Sequence, residues 1–254
     1  MSQEKRVTWM VCMGLGVAMT ASVFVAGRSS ADPVSQKVEA QAVAIPTGAP
    51  VYQPPRRSAP RGRIGGGTRG AMAGMPRVSV LAPDHTGQTR EEQPTLYWYI
   101  TQGVTYPVEF TLMTDQFVRP VAEVRLASPS QEGVQAIRLA DHGIRLSAGV
   151  PYRWYVAVIV NPERRSKDIV AGGVIERVEL PEDIAASLAR ATSADVPRVY
   201  AEAGIWYDAI ASLSGLIDRH PDDAALRQQR AALLDQVSLP DVSEYDRRVG
   251  GGQK

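Results

Sequence analysis

Cysteine is all but absent. The single one, Cys12, lies in an apolar run near the N-terminus. If that run is removed, the remaining chain has no thiol, which excludes disulfides, thiolate metal sites and a cysteine nucleophile. Net charge is nearly absent too: the formal value is +1, so no global field favours nucleic acid and none is expected as a partner. No Gly-x-Ser-x-Gly, no His-Glu-x-x-His and no paired-carboxylate context occurs in the chain. Between Ala40 and Pro83 there is no acidic residue at all. What remains is a chain of 254 residues with 44% apolar side chains, enough for a core and for one or two domains.

The chain opens with Lys5 and Arg6, continues in the apolar run Val7 to Gly27, and then reaches Arg28-Ser29-Ser30-Ala31-Asp32. A basic start, an apolar middle and small residues at Ser29 and Ala31 form the secretory pattern, with cleavage expected between Ala31 and Asp32. Residues 1–31 are therefore expected to be a signal peptide, and the protein is expected to be exported. The alternative is an uncleaved anchor, because a run of about 20 apolar residues is long enough to span a bilayer.

Residues 32–76 are rich in proline, glycine and arginine and show no apolar periodicity. Such a segment buries too little surface to offset its ordering entropy, so a disordered linker is expected. Arg56, Arg57, Arg61, Arg63 and Arg69 make it basic. A flexible basic tether can serve as a spacer or can bind an anionic polymer or lipid headgroups. The cluster Gly65-Gly66-Gly67 is not a phosphate loop: no strand precedes it and no Gly-Lys-Ser/Thr ending follows.

From residue 77 to residue 181 the period becomes two. Leu96, Trp98 and Ile100 alternate with Tyr97 and Tyr99; Val108, Phe110 and Leu112 alternate with Glu109 and Thr111; Tyr152, Trp154, Val156 and Val158 form a later run. Turn residues at Gly103, Asp141-His142-Gly143, Gly149 and Asn161-Pro162 separate the runs. About seven short strands so spaced predict an all-β sandwich. Tyr97 and Tyr99 point away from the face that Trp98 fills, toward either a partner or the C-terminal helices. The loop carrying Arg164, Arg165 and Lys167 joins the last two strands and is a candidate anion-gripping tip.

Residues 182–240 switch to helical spacing. Acidic residues open a helix at Glu182-Asp183, Pro197 suits a second first turn, and Gly204 breaks the chain. Ile210, Leu213, Leu216 and Ile217 share a helix face before His220-Pro221 ends it, and Asp222-Asp223 starts the last expected helix. Residues 241–254 are expected to be a flexible tail.

Several resemblances follow from these residues. Leu146, Gly149, Tyr152 and Trp154 resemble the fibronectin type III pattern of leucine, glycine turn and corner tyrosine, which implies that the Tyr152 hydroxyl bonds back to the preceding loop. Gly204, Ala209 and Pro221 resemble the tetratricopeptide register, for a single helix hairpin. The blocks LAPDHTGQT, QPTLYWY, LADHGI, YRWYVAVIVNPERRSKDIVAGGVIERV and EAGIWYDAI resemble a bacterial family known as domain of unknown function 928, over about residues 50–240. That resemblance implies export and a strand-rich then helix-rich layout, and it supplies no activity to carry over.

The expected fold class is thus an immunoglobulin/fibronectin-III-like sandwich followed by a small tetratricopeptide-like helical domain. The expected function is a non-enzymatic module that binds an envelope protein partner through Arg164, Arg165, Lys167, Tyr97 and Tyr99. The alternatives are binding of an anionic envelope polymer or membrane surface through the linker arginines, and a metal-dependent enzyme using His85 and His142. The Asp84-His85 and Asp141-His142 pairs suit turns as well as they suit a metal. No cofactor is expected.

Overall fold

The computed structural model describes residues 48–55, 62–65 and 74–252. Alternating apolar residues form strands here because one side of each must leave water. The strands are β1 (Val78–Val80), β2 (Gly87–Thr89), β3 (Thr95–Ile100), β4 (Val108–Thr114), β5 (Ala122–Leu126), β6 (Gly133–Arg138), β7 (Pro151–Val158) and β8 (Ile169–Arg177). They build a three-stranded sheet in the order β1-β3-β6 and a five-stranded sheet in the order β2-β8-β7-β4-β5. Only β2 with β8 is parallel; the other strand pairs are antiparallel. Leu96, Trp98 and Ile100 from one sheet and Phe110, Leu112, Trp154 and Val156 from the other are all buried in one apolar cluster.

Five helices follow among the described residues: α1 (Glu182–Arg190), α2 (Val196–Glu202), α3 (Trp206–Arg219), α4 (Ala224–Gln236) and α5 (Pro240–Gly250). Gly204 separates α2 from α3 at φ +78°, and a Cβ there would sit 2.8 Å from the Gln53 carbonyl oxygen, so only glycine fits both demands. Asp223 caps α4 by accepting from the Ala225 N–H at 2.9 Å. The segment expected as a flexible tail is helical to Gly250. Its stripe of Val242, Ser243 and Asp246 is buried, and polar spacing around one valine had hidden that stripe. Inside the helices the Arg230 guanidinium grips Asp246 with two bonds of 2.7 and 2.6 Å and donates to the Ser214 hydroxyl at 3.0 Å. This buried, fully hydrogen-bonded fork ties α4 to α5.

Sheets and helices belong to one unit of the chain. The joint is made by two adjacent aromatics in the first turn of α3. The Trp206 indole N–H donates to the Leu81 carbonyl at 2.8 Å. The Tyr207 hydroxyl accepts from the Trp154 indole N–H at 2.9 Å and donates to the Val174 carbonyl at 3.0 Å. Both rings are buried, and burial raises the Tyr207 phenol above its ordinary value, so it stays a donor.

Parts of the supposed linker join the same core. Tyr52 is buried, stacks edge-on against Trp206 at 4.9 Å and shares a 2.9 Å hydrogen bond with His85 Nε2. The Gln53 N–H donates to the Ala201 carbonyl at 3.0 Å, and Ile64 exchanges backbone bonds of 2.7 and 3.0 Å with Gly172. The segment around these anchors has no periodicity because it packs through isolated residues, not through a face. Replacing Tyr207 with Phe would orphan the buried Trp154 N–H. The expected cost is about 1–3 kcal/mol, read as a lowered urea midpoint with an unchanged slope.

Candidate functional site

Strand register gathers three loops at one end of the sheets. Val108 lies opposite both Leu126 and Val158, Val158 opposite Ile169, and Ile100 opposite both Val78 and Gly133. The β3–β4, β5–β6 and β7–β8 connections therefore share that end with the Gly74–Arg77 stretch that precedes β1. Hydrogen bonds lock them together: the Ile159 N–H to the Pro107 carbonyl at 2.9 Å, the Val104 N–H to the Pro129 carbonyl at 2.8 Å, and the Ser128 hydroxyl to the Tyr106 carbonyl at 2.7 Å. A groove of about 520 Å³ opens there, lined by Met75, Gln102, Val104, Tyr106, Ser128 and Ser130 among others.

The β7–β8 loop is held rather than loose. The Asn161 side chain accepts from the Glu163 N–H at 2.9 Å, the Arg164 N–H donates to the Asn161 carbonyl at 3.0 Å, and residues Arg165–Lys167 form a single 3₁₀ turn. Its three basic residues then divide. Arg165 donates to Asp168 at 2.6 Å and to Glu109 at 3.0 Å, so its charge is spent on holding the loop to β4. Arg164 and Lys167 are exposed, and among the described residues neither has an ion-pair partner.

Tyr97 and Tyr99 do not offer a free face. Tyr99 is 3% exposed, donates to Glu132 at 2.5 Å and lies 5.2 Å from the ring of Tyr245 on α5. Arg248 closes the group, bonding Glu132 at 2.6 Å and standing over the Tyr245 ring. Tyr97 is half-buried beside Ile217, Arg230 and Tyr245, and burial raises its phenol, with Asp218 adding to the effect. These tyrosines seat α3 and α5, because the outer face of the three-stranded sheet is apolar enough to be covered by helices.

Of the linker arginines, Arg63 is described. It donates to the carbonyls of Ala82 at 3.0 Å, Val237 at 2.7 Å and Ser238 at 3.1 Å, which leaves little of it for an anion. Arg56, Arg57, Arg61 and Arg69, and the expected cleavage residues Ala31 and Asp32, lie outside the described residues. His85 is engaged between Tyr52 and the Asp84 carboxylate, the latter at 3.1 Å. His142 is exposed in the 3₁₀ turn Leu139–His142, which Gly143 ends at φ +65°. No group of three His, Cys, Asp or Glu side chains that could hold a metal forms among the described residues.

One acid escaped sequence reasoning. Asp208, in the first turn of α3, is 6% exposed. Acids are common in first turns for helix-dipole reasons, so its position carries no signal by itself. Only the fold brings it under the Arg90 N–H, 118 residues away in sequence, at 3.2 Å. Burial pushes its carboxyl up to about 7, against the opposing pull of Thr89 and Arg90.

Residues 64–246 match the family model described as Domain of Unknown Function (DUF928), and the chain belongs to that family. No curated protein matches it.

Asp208 sets a pH dependence of stability. Its folded pKa is raised, so the unfolded chain releases this proton first as pH rises, and stability falls between about pH 4 and pH 7. Asp208→Asn should remove that decline. The stability difference between variant and parent should grow over this window to roughly 2–4 kcal/mol, measured as urea midpoints at pH 4.5, 6 and 7.5.

Proposed function

We propose that this protein is an exported bacterial envelope protein whose sandwich, of the immunoglobulin/fibronectin III kind, works as a non-enzymatic module that binds an acidic segment of a protein partner at its loop-bearing end. One observation carries the reading: a hydrogen-bonded loop keeps Arg164 and Lys167 exposed while Arg165 is consumed in holding it. A loop built this way loses little conformational entropy on binding. The groove at the same end of the sheets and the exposed ring of Tyr106 give the partner a seat of mixed polar and apolar surface.

The fold reading draws support from strand order and from one tyrosine. The grouping β1-β3-β6 against β8-β7-β4-β5 follows the fibronectin III arrangement, with β2 added beside β8. The Tyr152 hydroxyl accepts from the Ser147 N–H at 3.2 Å, as a corner tyrosine would. The α2–α3 pair, broken by Gly204, then stands as a single tetratricopeptide-like hairpin that packs on the sandwich.

A photo-cross-linking amino acid at position 106 or 167 should capture the same protein in the native host, and one at the distant exposed Glu202 should not. Arg164→Glu with Lys167→Glu should abolish capture and leave the melting temperature unchanged. No capture above the Glu202 control would remove the loop end from the case. Export has its own check: the mature chain should begin at Asp32 on N-terminal sequencing.

A further inference from the structure

A second cavity, of about 270 Å³, lies between the 89–95 stretch and the facing sides of α2 and α3. Its walls are mostly apolar: Pro94, Val196 and Ala211, with the rings of Tyr200 and Tyr207. Two carboxyl groups line it, Glu91 and Asp208, and no lysine, arginine or histidine does. Arg90, the nearest cation, turns its guanidinium to Glu91 at 3.1 Å and to the Tyr200 hydroxyl.

Asp208 is the unusual member. Its Oδ2 accepts from the Arg90 N–H, the Thr89 hydroxyl stands close enough to favour its ionised form, and its Oδ1 is buried with no hydrogen bond of its own among the described residues. A buried carboxylate oxygen without a donor is costly, and such exceptions in a cavity wall mark places where a ligand supplies the missing group. The missing group must donate an N–H or O–H. A second acid, two aromatic rings and the lack of a lining cation favour a donor that carries positive charge.

We infer that this cavity binds a small primary ammonium compound, whose N–H groups donate to Asp208 and whose short alkyl body rests on Pro94, Val196 and the Tyr200 ring. Glu91, paired with Arg90 at 3.1 Å, offsets that guanidinium at the rim and keeps the cavity mouth from repelling a cation. The site is separate from the loop end of the sheets, so success or failure at either leaves the other standing. The groups that face Asp208 are Thr89, Arg90 and Glu91 from the β2–β3 connection and Tyr200 from α2. Of these, Glu91 opposes ionisation of Asp208, and Thr89 and Arg90 favour it. A bound ammonium adds to the favouring side.

The experiment is an amide NMR titration of the full chain with n-butylammonium chloride, with n-butanol as the neutral control of equal size. Saturable shifts at Arg90, Ala211 and Ser212 are expected. Binding should be about tenfold tighter at pH 8 than at pH 6, because the Asp208 carboxyl ionises between them, at about 7. Asp208→Asn, which keeps a neutral side chain of the same shape and should fold, is expected to abolish the shifts. Glu91→Gln, at an exposed rim position, is expected to weaken binding by about two- to fivefold. The proposal is overturned if n-butanol binds as tightly, if affinity is the same at both pH values, or if Asp208→Asn binds as the parent does.

Discussion

The fold depends on two neighbouring rings, Trp206 and Tyr207, driven from a helix into the side of a sheet. Tyr207 is the more constraining. Its hydroxyl is both acceptor and donor, taking the Trp154 N–H and giving to the Val174 carbonyl. Trp154 belongs to β7 and Val174 to β8, so one phenol satisfies polar groups on two adjacent strands. A buried indole N–H without this acceptor would be an uncompensated donor in the centre of the five-stranded sheet. The approach is close. A Cβ at Gly173 would fall 2.7 Å from the Ala82 Cβ and 3.3 Å from the Tyr207 hydroxyl, so β8 needs glycine where the helix enters.

Once that joint exists, other features follow from it. Tyr52 finds a ring to pack on because Trp206 is held against the Leu81 carbonyl. The strap that carries Tyr52 then crosses to α4, where the Gln236 side chain accepts from the Tyr52 N–H at 2.8 Å and donates to the Pro50 carbonyl at 3.0 Å. Arg63 repeats the stitch with carbonyls from the sheet side, Ala82, and the helix side, Val237 and Ser238. Burial pulls its guanidinium below the ordinary value and Asp84 pulls it back up. These contacts use one residue at a time from a chain rich in proline and glycine. Pro50, Pro54 and Pro55 stiffen the strap, and pre-stiffened chain loses less entropy on docking, which helps a stretch with so few apolar side chains hold its place.

Legibility in the sequence tracked the number of faces each element exposes. In β4 and β7 one side meets the core, so Phe110 and Trp154 stood out by alternation; in β3 Leu96, Trp98 and Ile100 stood out because tyrosines occupy the other, helix-covered face. In β8 both sides are covered: Ile169, Ala171 and Ile175 face the core, and Val174 lies under the strap, where a Cβ at Gly62 would touch it. Alternation vanishes there. The helix breaks at Gly204 and His220 were readable because backbone chemistry is local. The tail helix α5 was not, since its buried stripe includes Asp246, a residue that patterns as exposed until Arg230 supplies its partner. That Tyr97 and Tyr99 point away from Trp98 was legible, but not that they are covered; what covers them comes from residues 217 to 248, beyond the reach of local spacing. Arg164, Arg165 and Lys167 were legible as a loop tip, but which of the three is spent on Glu109 is a fact of strand register.

Asp208 shows the same joint from its costly side. The turn that delivers Trp206 and Tyr207 to the sheet must also bring the next residue inward. An apolar side chain at 208 would remove the unpartnered oxygen and would leave the Arg90 N–H without its acceptor. A neutral amide would keep that bond and lift the charge penalty. Aspartate keeps the bond but not the relief, so the chain bears a burial cost where the sheet–helix joint borders a cavity. Cost of this kind is retained where a site gains from an acceptor held in place before its ligand arrives. In this protein Asp208 directly follows Tyr207, whose two buried hydrogen bonds fix the first turn of α3, so the sheet–helix joint itself positions the carboxyl group.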